Sequence, residues 1–476
     1  MENLNPMLEM EETYDPMTEM EEAYDESLEK IIELIEQKKY FQCRDELLKH
    51  DEVEISELLV DVKREYDLQK VVVLFRALPK DVAVEVFSYL DVDDQVDVIN
   101  IITDPEIEYI LDELDFDDMI DVLEELPSNI VDKILSKTPK DERKMINTFL
   151  RYKDDSAGSL MTPDYINLMK SWTTKEALEH IKEVGLDSET IYTCYVLDRG
   201  RKLTGVVSLR ALVIANDSTL VGDIMHEDPL CVHVDDDQEE VMDLFNRYGY
   251  LAIPVVDNEQ RLVGIVTVDD ILDVIEEETS EDIERMGGVI SSDDKEYLDQ
   301  SVFSHVKARL PWLIFLMLSY FVTGGIISGF EDALSDCITL VTYMPMLMGT
   351  AGNSGTQSST LIVRGMATGD IEIDDFLKVA WKEIRVSLVV GICLSIINYS
   401  RMVFFGREPV MVALTVCVSM IIAIMIAKLI GSMLPIIAKK IGIDPALMAG
   451  PLMASITDML AIGTYFVMAG LFLNIG

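Results

Sequence analysis

The sequence predicts a multidomain membrane protein. An acidic soluble portion, made of stacked helices and then an α+β repeat pair, leads through an acidic connecting helix into five membrane-spanning helices. Three observations carry this. The 476 residues combine a formal charge of −48 with a mean hydropathy of +0.20, values that rarely coexist in one uniform soluble domain. The charge is unevenly placed: residues 301–476 hold 11 Lys+Arg and 11 Asp+Glu, so the whole excess lies in the first 300. Within residues 159–284 the stretch starting at Leu203 recurs at Leu262, an offset of 59.

These properties exclude several functions. A charge of −48 repels phosphates, which argues against a nucleic-acid partner, and it attracts cations, divalent ones most. The first 30 residues are acidic and Met-rich, without a basic start or a long apolar run, so no signal peptide is expected. The six cysteines are far apart and never form C-x-x-C, the pattern of small buried residues in a reducing cytosol. No His/Cys metal spacing, nucleophile elbow or Gly-rich phosphate loop appears, so an enzyme is not expected.

The soluble portion divides by pattern. Residues 1–30 carry a crude repeat around Met10–Asp15 and Met20–Asp25, and their composition predicts disorder or a frayed helix. Residues 31–158 read as short amphipathic helices punctuated by prolines at Pro79, Pro127 and Pro139. Asp recurs just before apolar runs, as at Asp91 and Asp115, where it suits an N-cap. Stacked helix pairs of this kind form a superhelix. In residues 159–277, β-like runs at Thr193–Leu197, Gly205–Ser208, Ala252–Val256 and Gly264–Val268 alternate with helical ones.

Acidic clusters run through this portion. Asp117 and Asp121 are four apart, hence on one helical face. Asp237 and Glu239 fall in a second cluster. Asp270, Asp273, Glu278, Glu281 and Asp282 follow at the exit, toward a connecting helix over 278–308. Such runs are either a solvated acidic surface or sites for a hard divalent ion, which takes carboxylate oxygens and water.

The membrane portion, 309–476, has apolar stretches at Leu310–Phe330, Cys337–Val363, Val386–Ser400, Pro409–Ala427 and Ala446–Asn474. About 20 apolar residues cross a bilayer, so five crossings fit. One set of flanks holds Lys307, Arg309, Arg364, Lys378, Lys382, Arg385, Lys439 and Lys440, and the other only Arg401 and Arg407. The basic side faces the cytoplasm, which puts the soluble portion inside and the C-terminus outside. Residues 370–385 are amphipathic and are expected to lie along the inner interface. Two features depart from lipid-facing helices. Gly349, Gly352 and Gly355 accompany Asn353, Thr356 and Gln357 at membrane depth, the pattern of a polar cavity or of tight small-residue packing. Asp458 is a carboxylate near mid-helix, costly unless it faces a partner or a water path, and it is the expected intramembrane cation ligand.

The repeat in 159–277 resembles a tandem pair of CBS modules, regulatory units that often bind adenine nucleotides. Gly264, Thr267 and Asp270 of the second copy match that family's ribose-binding pattern, whereas the first copy has Ser208 but Ala211 at the Asp position. At most one full nucleotide site follows. The order of parts resembles the MgtE family of magnesium channels and transporters over residues 31–476. The most specific matches are Pro345, Gly349, Gly352, Asn353, Gly355 and Gln357, then Asp444, Pro445, Pro451, Ala454 and Asp458.

The resemblance implies a homodimer with a pore on its two-fold axis, where two Asp458 side chains meet a hydrated Mg²⁺. It implies uptake of Mg²⁺ that is shut off by cytosolic Mg²⁺. The sensing carboxylates would be Asp117, Asp121, Asp237, Glu239, Asp270, Asp273, Glu278, Glu281 and Asp282, acting on a helix near 278–302. It further implies ATP as a possible ligand of Thr267 and Asp270. Two positions depart from the family pattern: Gly450, where an Asn can line the pore, and Gly249, near the sensor sites. Two other readings stay open. One is the same build for Co²⁺ or Mn²⁺; the other is a membrane-anchored nucleotide sensor whose membrane part only dimerises.

Overall fold

The computed structural model describes residues 16–290, 297–298, 300–330 and 337–473. The chain forms two compact units that meet in sequence between Ile275 and Glu276.

The first unit begins with ten helices: α1 (Pro16–Glu36), α2 (Tyr40–Leu47), α3 (Glu52–Glu65), α4 (Leu68–Phe75), α5 (Lys80–Ser88), α6 (Val92–Ile99), α7 (Asp104–Glu113), α8 (Phe116–Glu125), α9 (Ser128–Lys137) and α10 (Lys140–Phe149). Asp51 and Asp67 accept from the amides of Glu54 and Lys70 at 2.9 and 3.1 Å, closing the N-termini of α3 and α4. Pro79, Pro127 and Pro139 stand immediately before α5, α9 and α10, where a missing N–H costs nothing. Of the two expectations for the acidic start, the described residues show the helix. Helix begins at Pro16, because Ile31 and Ile35 enter the core and Tyr24 donates to Asp61 at 2.8 Å. The expected disorder of residues 1–15 lies outside the described residues.

The repeat pair follows, with strands β1 (Tyr165–Met169), β2 (Thr190–Leu197), β3 (Leu203–Ser208), β4 (His226–Glu227), β5 (Val232–His233), β6 (Ala252–Val256) and β7 (Leu262–Thr267). Its helices are α11 (Thr174–Val184), α12 (Leu209–Ile214), α13 (Val221–Ile224) and α14 (Gln238–Tyr248). One sheet has the order β1-β2-β3-β4 and the other β5-β6-β7. In each, a parallel pair (β1 with β2, β5 with β6) is extended by an antiparallel one (β2 with β3, β6 with β7). The sequence repeat is thus a topological repeat. Phe87 and Leu123 of the helical part share one core with Val255 and Val266 of the second repeat.

Helix α15 (Val268–Gly287) leaves the pair. The single connecting helix expected over 278–308 is not formed. α15 ends at Gly287, and Gly288 has φ +72°. The Val289 amide bonds to Glu284 O at 2.9 Å and the Gly288 amide to Arg285 O at 3.0 Å, the paired bonds of a Schellman stop. A new helix, α16 (Val302–Gly329), starts after Ser301, whose hydroxyl accepts from the Ser304 amide at 3.1 Å.

The second unit adds α17 (Thr339–Ala367), α18 (Phe376–Ser400), α19 (Val410–Lys440) and α20 (Gly450–Leu473). Among the described residues four segments are long and apolar enough to cross a membrane: Val302–Gly329, Ile373–Gly406, Val410–Lys440 and Ala446–Leu473. α17, at 29 residues, has the length but not the hydropathy, since Asn353, Gln357 and a run of hydroxyls dilute it. Residues 370–385 are not a separate interfacial helix. No Gly or Pro interrupts 376–390, so the amphipathic stretch becomes the first turns of α18. With its flanking turns that segment has 34 residues, about 50 Å of helix against about 30 Å of hydrocarbon. The core of this unit lies among α17, α19 and α20, through Leu340, Leu347, Val416, Ile424, Ile462 and Phe466.

Candidate functional site

α17, α19 and α20 approach through small residues. A Cβ on Gly431 of α19 would run into the carbonyl oxygen of Gly355 on α17, and one on Gly355 would stand 2.8 Å from Thr457 Cγ2 on α20. Ala351, Ala423, Ala427 and Ala461 fill the same seam. Thr457 turns its hydroxyl back to Met453 O at 2.8 Å, so the next residue, Asp458, carries the polar group of this level. A Cβ on Gly352 would lie 3.3 Å from Asp458 Oδ1.

Asp458 is half-buried, and among the described residues no cation pairs with it. The two basic side chains at the ends of the apolar stretches are engaged elsewhere: Lys428 Nζ bonds to Ser358 Oγ at 3.2 Å, and Arg401 Nε to Asn398 Oδ1 at 3.3 Å. The alternative of a structural ion pair for Asp458 is therefore absent among the described residues. Asn353 and Gln357 do not point into this seam. With Pro345, Gly349, Thr360 and Arg364 they form the exposed face of α17, a polar stripe at helical spacing along the single chain.

In the first unit, the start of α8 brings Asp117 and Asp118 near Asp269 and Asp270 at the start of α15 and near Glu189 before β2. Burial, then the charges of Asp270, Glu189 and Asp118, push the Asp117 carboxyl up to about 9. Its Oδ1 is buried without a hydrogen-bond partner. Burial and the neighbouring aspartates raise Asp118 to about 6 and Glu189 to about 7. Asp270 is raised by burial, against a hydrogen bond from Thr267 Oγ1 at 2.6 Å. Asp118, Asp269 and Glu189 were not singled out by sequence. The first two adjoin residues that were, whereas Glu189 sits in a loop whose local sequence gives no signal of the site.

Other expected residues lie apart from this group. Asp237 caps α14, accepting from the Glu239 amide at 3.1 Å, and Glu239 occupies its first turn. Asp121 is exposed one turn along α8. Gly249 ends α14 with φ +64°, a left-handed position that explains a glycine there. Among the described residues no three His, Cys, Asp or Glu side chains converge closely enough to hold a metal ion.

The end of α15 makes a third acidic group. Arg285 bonds to Glu281 and, at 2.7 Å, to Asp444, whose other oxygen accepts from the Ala446 amide at 2.7 Å. Burial and Asp444 raise the Asp282 carboxyl above its ordinary range. Gly450 opens α20 at φ +57°, and a Cβ there would meet the carbonyl of Met286. The left-handed backbone and that contact together require glycine at 450.

The raised carboxyls set a pH dependence. Asp117, Asp118 and Glu189 bind protons more tightly when folded than when unfolded, so their contribution is fully present below about pH 4. It is lost as pH rises through the folded values of about 6, 7 and 9. Without divalent ions, the melting temperature of the first unit should fall from pH 6 to 9, and Asp117→Asn should flatten the slope. A rise over that window would contradict the assignment.

Residues 344–468 match the MgtE family model, described as a divalent cation transporter, and residues 50–155 match the MgtE intracellular N domain. Residues 157–217 and 221–277 each match the CBS domain. The magnesium transporter MgtE of Thermus thermophilus is 40% identical over 332 residues, covering 70% of this chain and 73% of that protein. That of Bacillus subtilis is 32% identical over 444 residues, covering 90% and 96%. A crystal structure of the cytosolic domain of the Mg²⁺ channel MgtE in complex with ATP shares 34% identity and covers 51% of this chain and 98% of that one, with a TM-score of 0.48.

Proposed function

Since the chain belongs to the MgtE family of divalent cation transporters, we propose that it moves Mg²⁺ across a membrane through a path built around Asp458 and shut by cytosolic Mg²⁺. The observation that carries this is the unpaired carboxylate of Asp458, set beside Gly352 in a helix seam that offers it no cation. A hydrated Mg²⁺ suits such a site, because the ion gives up water reluctantly and is often held by one or two carboxylates with waters retained.

A homodimer completes the path. The polar stripe of α17 would be costly against lipid and is best satisfied by a water-filled channel shared with a second copy. In this arrangement all five long helices cross the bilayer, the first unit is cytoplasmic and the C-terminus is outside. Other divalent ions, Co²⁺ or Mn²⁺, remain competitors for the same oxygen ligands. A membrane anchor for a nucleotide sensor has no use for a mid-helix carboxylate and is the weaker reading.

Gating follows from charge. Asp117, Asp270 and Glu189 repel one another, and Asp273, Glu278, Glu281 and Asp282 extend the acidic line along α15. Mg²⁺ between these groups relieves the repulsion and favours a closed arrangement. Several weak sites acting together give a steep population shift. Asp121, Asp237 and Glu239 belong to the same sensing surface on the family pattern. ATP at Thr267 and Asp270 would compete with Mg²⁺ for Asp270.

The direct test is Mg²⁺ flux into liposomes holding the purified protein, with the ion varied on the cytoplasmic side. Wild-type flux should be suppressed as that concentration rises, and folded dimer without flux at low Mg²⁺ would end the transport reading. Combined Asp117→Asn, Asp270→Asn and Asp273→Asn should remove the suppression; inhibition equal to wild type would rule these residues out as sensors. Arg285→Gln removes a cation that already ties α15 to Asp444, a contribution of about 1 kcal/mol for a partly exposed pair. Closure should then need about fivefold more Mg²⁺, and an unchanged half-closing concentration would count against the tie.

A further inference from the structure

Lys428 is the one buried lysine among the described residues. Its side chain lies inside the helix bundle with 5% exposure, and the transport reading gives it no role. Lys428 Nζ on α19 donates to Ser358 Oγ on α17 at 3.2 Å, and Ser358 Oγ donates to Glu383 Oε2 on α18 at 2.7 Å. A hydroxyl has one proton, so the chain runs one way, from ammonium through hydroxyl to carboxylate. Three helices are joined by it, and Ser358 at its centre is 1% exposed.

Stability does not explain such a network. Lys428 is buried while Glu383 is only half-buried. The ammonium therefore loses hydration that the hydroxyl and the more distant carboxylate only partly restore, and an apolar residue of similar volume often serves as well. What an ion-pair chain adds is register, because it is satisfied in one alignment of the helices and broken in others. Its position says which register matters. Ser358 is three residues from Gly355 and Lys428 three from Gly431, so the chain stacks directly on the level where α17 and α19 backbones touch. Gly355 in that level also receives the Thr457 methyl, and Thr457 precedes Asp458. One residue on, the Ser359 hydroxyl donates to Met448 O at 3.0 Å, tying the same part of α17 to the turn that leads into α20.

We propose that Lys428, Ser358 and Glu383 are positioning residues for the cation site: their chain fixes α17 against α19 and thereby sets the distance of Asp458 from the Gly352 backbone. This rests on the reading of Asp458 as the ligand in the path. The residues do not touch the ion. They act through the glycine level, so their loss weakens cation binding before it stops transport.

The test uses full-length protein in liposomes, with flux measured against external Mg²⁺ and melting temperature measured in parallel. Lys428→Met should raise the half-saturating concentration about tenfold, while maximal flux changes by less than about threefold. It should also lower the melting temperature, because Glu383 is left without its cation. The double variant Lys428→Met/Glu383→Gln removes both charges, so it should recover the melting temperature yet keep the raised half-saturation. A packing role predicts instead that both recover together, and that result overturns the proposal. Ser358→Ala removes only the bridging hydroxyl and gives the same readout if charge removal prevents folding; a wild-type half-saturation there is equally decisive against it. Wild type without flux would sink the transport reading and this inference with it. Wild-type flux with unmoved half-saturation in every variant would sink this inference alone.

Discussion

Asp458→Ala should abolish Mg²⁺ flux and leave the protein folded. Placing a carboxylate at mid-helix costs at least ~2.5 kcal/mol on insertion scales. Nothing among the described residues offsets that cost, since neither Lys428 nor Arg401 reaches Asp458. Removal should therefore leave the melting temperature unchanged or raise it, the opposite of what a broken ion pair does. Flux should fall by at least about 100-fold, because the path then has no charge to hold a divalent ion against its hydration. Asp458→Asn keeps the size and the oxygen but not the charge, and it should fall nearly as far. Wild-type flux in Asp458→Asn, measured in the same liposomes, would show that the ion does not need this carboxylate.

Gly431→Ala should have the largest effect on stability. The new methyl would meet the carbonyl oxygen of Gly355, with that residue's carbonyl carbon and Cα at 3.0 and 3.1 Å. These are backbone atoms, so no rotamer change relieves the clash and α17 and α19 must separate. Overpacking of this kind costs about 3 kcal/mol, and here it also displaces Gly355 from Thr457. A clear drop in melting temperature with loss of flux is expected. A variant as stable as wild type would show that the two backbones are not held at this distance.

The sequence carried the architecture further than it carried the contacts. Asp and Pro before apolar runs marked the starts of α5, α6 and α8 to α10, because capping is chemistry of one or two neighbouring residues. The β-like runs located β2 and β6 and the 59-residue offset β3 and β7, whereas β4 and β5 are two residues each, too short for alternation to register. The amphipathic stretch before Val386 was misplaced for a different reason. Amphipathicity says which face is wet, not whether a helix stops, and no Gly or Pro lies between Phe376 and Val390. Gly288 was such a stop and ended α15 before the expected connecting helix could continue.

At the candidate site, Asp458 stood out because a mid-membrane charge is conspicuous in one dimension. Glu189 did not, since its importance lies in facing Asp117 and Asp270 from a loop distant in sequence. Lys428, one residue past the apolar stretch Pro409–Ala427, carries no local signal of its role. Its partners, 70 and 45 residues away, could be named only once the helices were side by side.

The composition of α17 has a consequence for biogenesis. A helix of 29 residues whose exposed face carries Asn353, Gln357, Thr360 and Arg364 is a weak stop-transfer signal when it leaves the translocon alone. Its opposite, small-residue face finds no partner until α19 and α20, 43 or more residues later in the chain, have been synthesised. On the five-crossing reading, α17 waits at the translocon or in the interfacial zone and enters the bilayer together with those later helices. Nascent chains cut after Ala367 would then fail to hold α17 across the membrane, and chains extended beyond Leu473 would hold it.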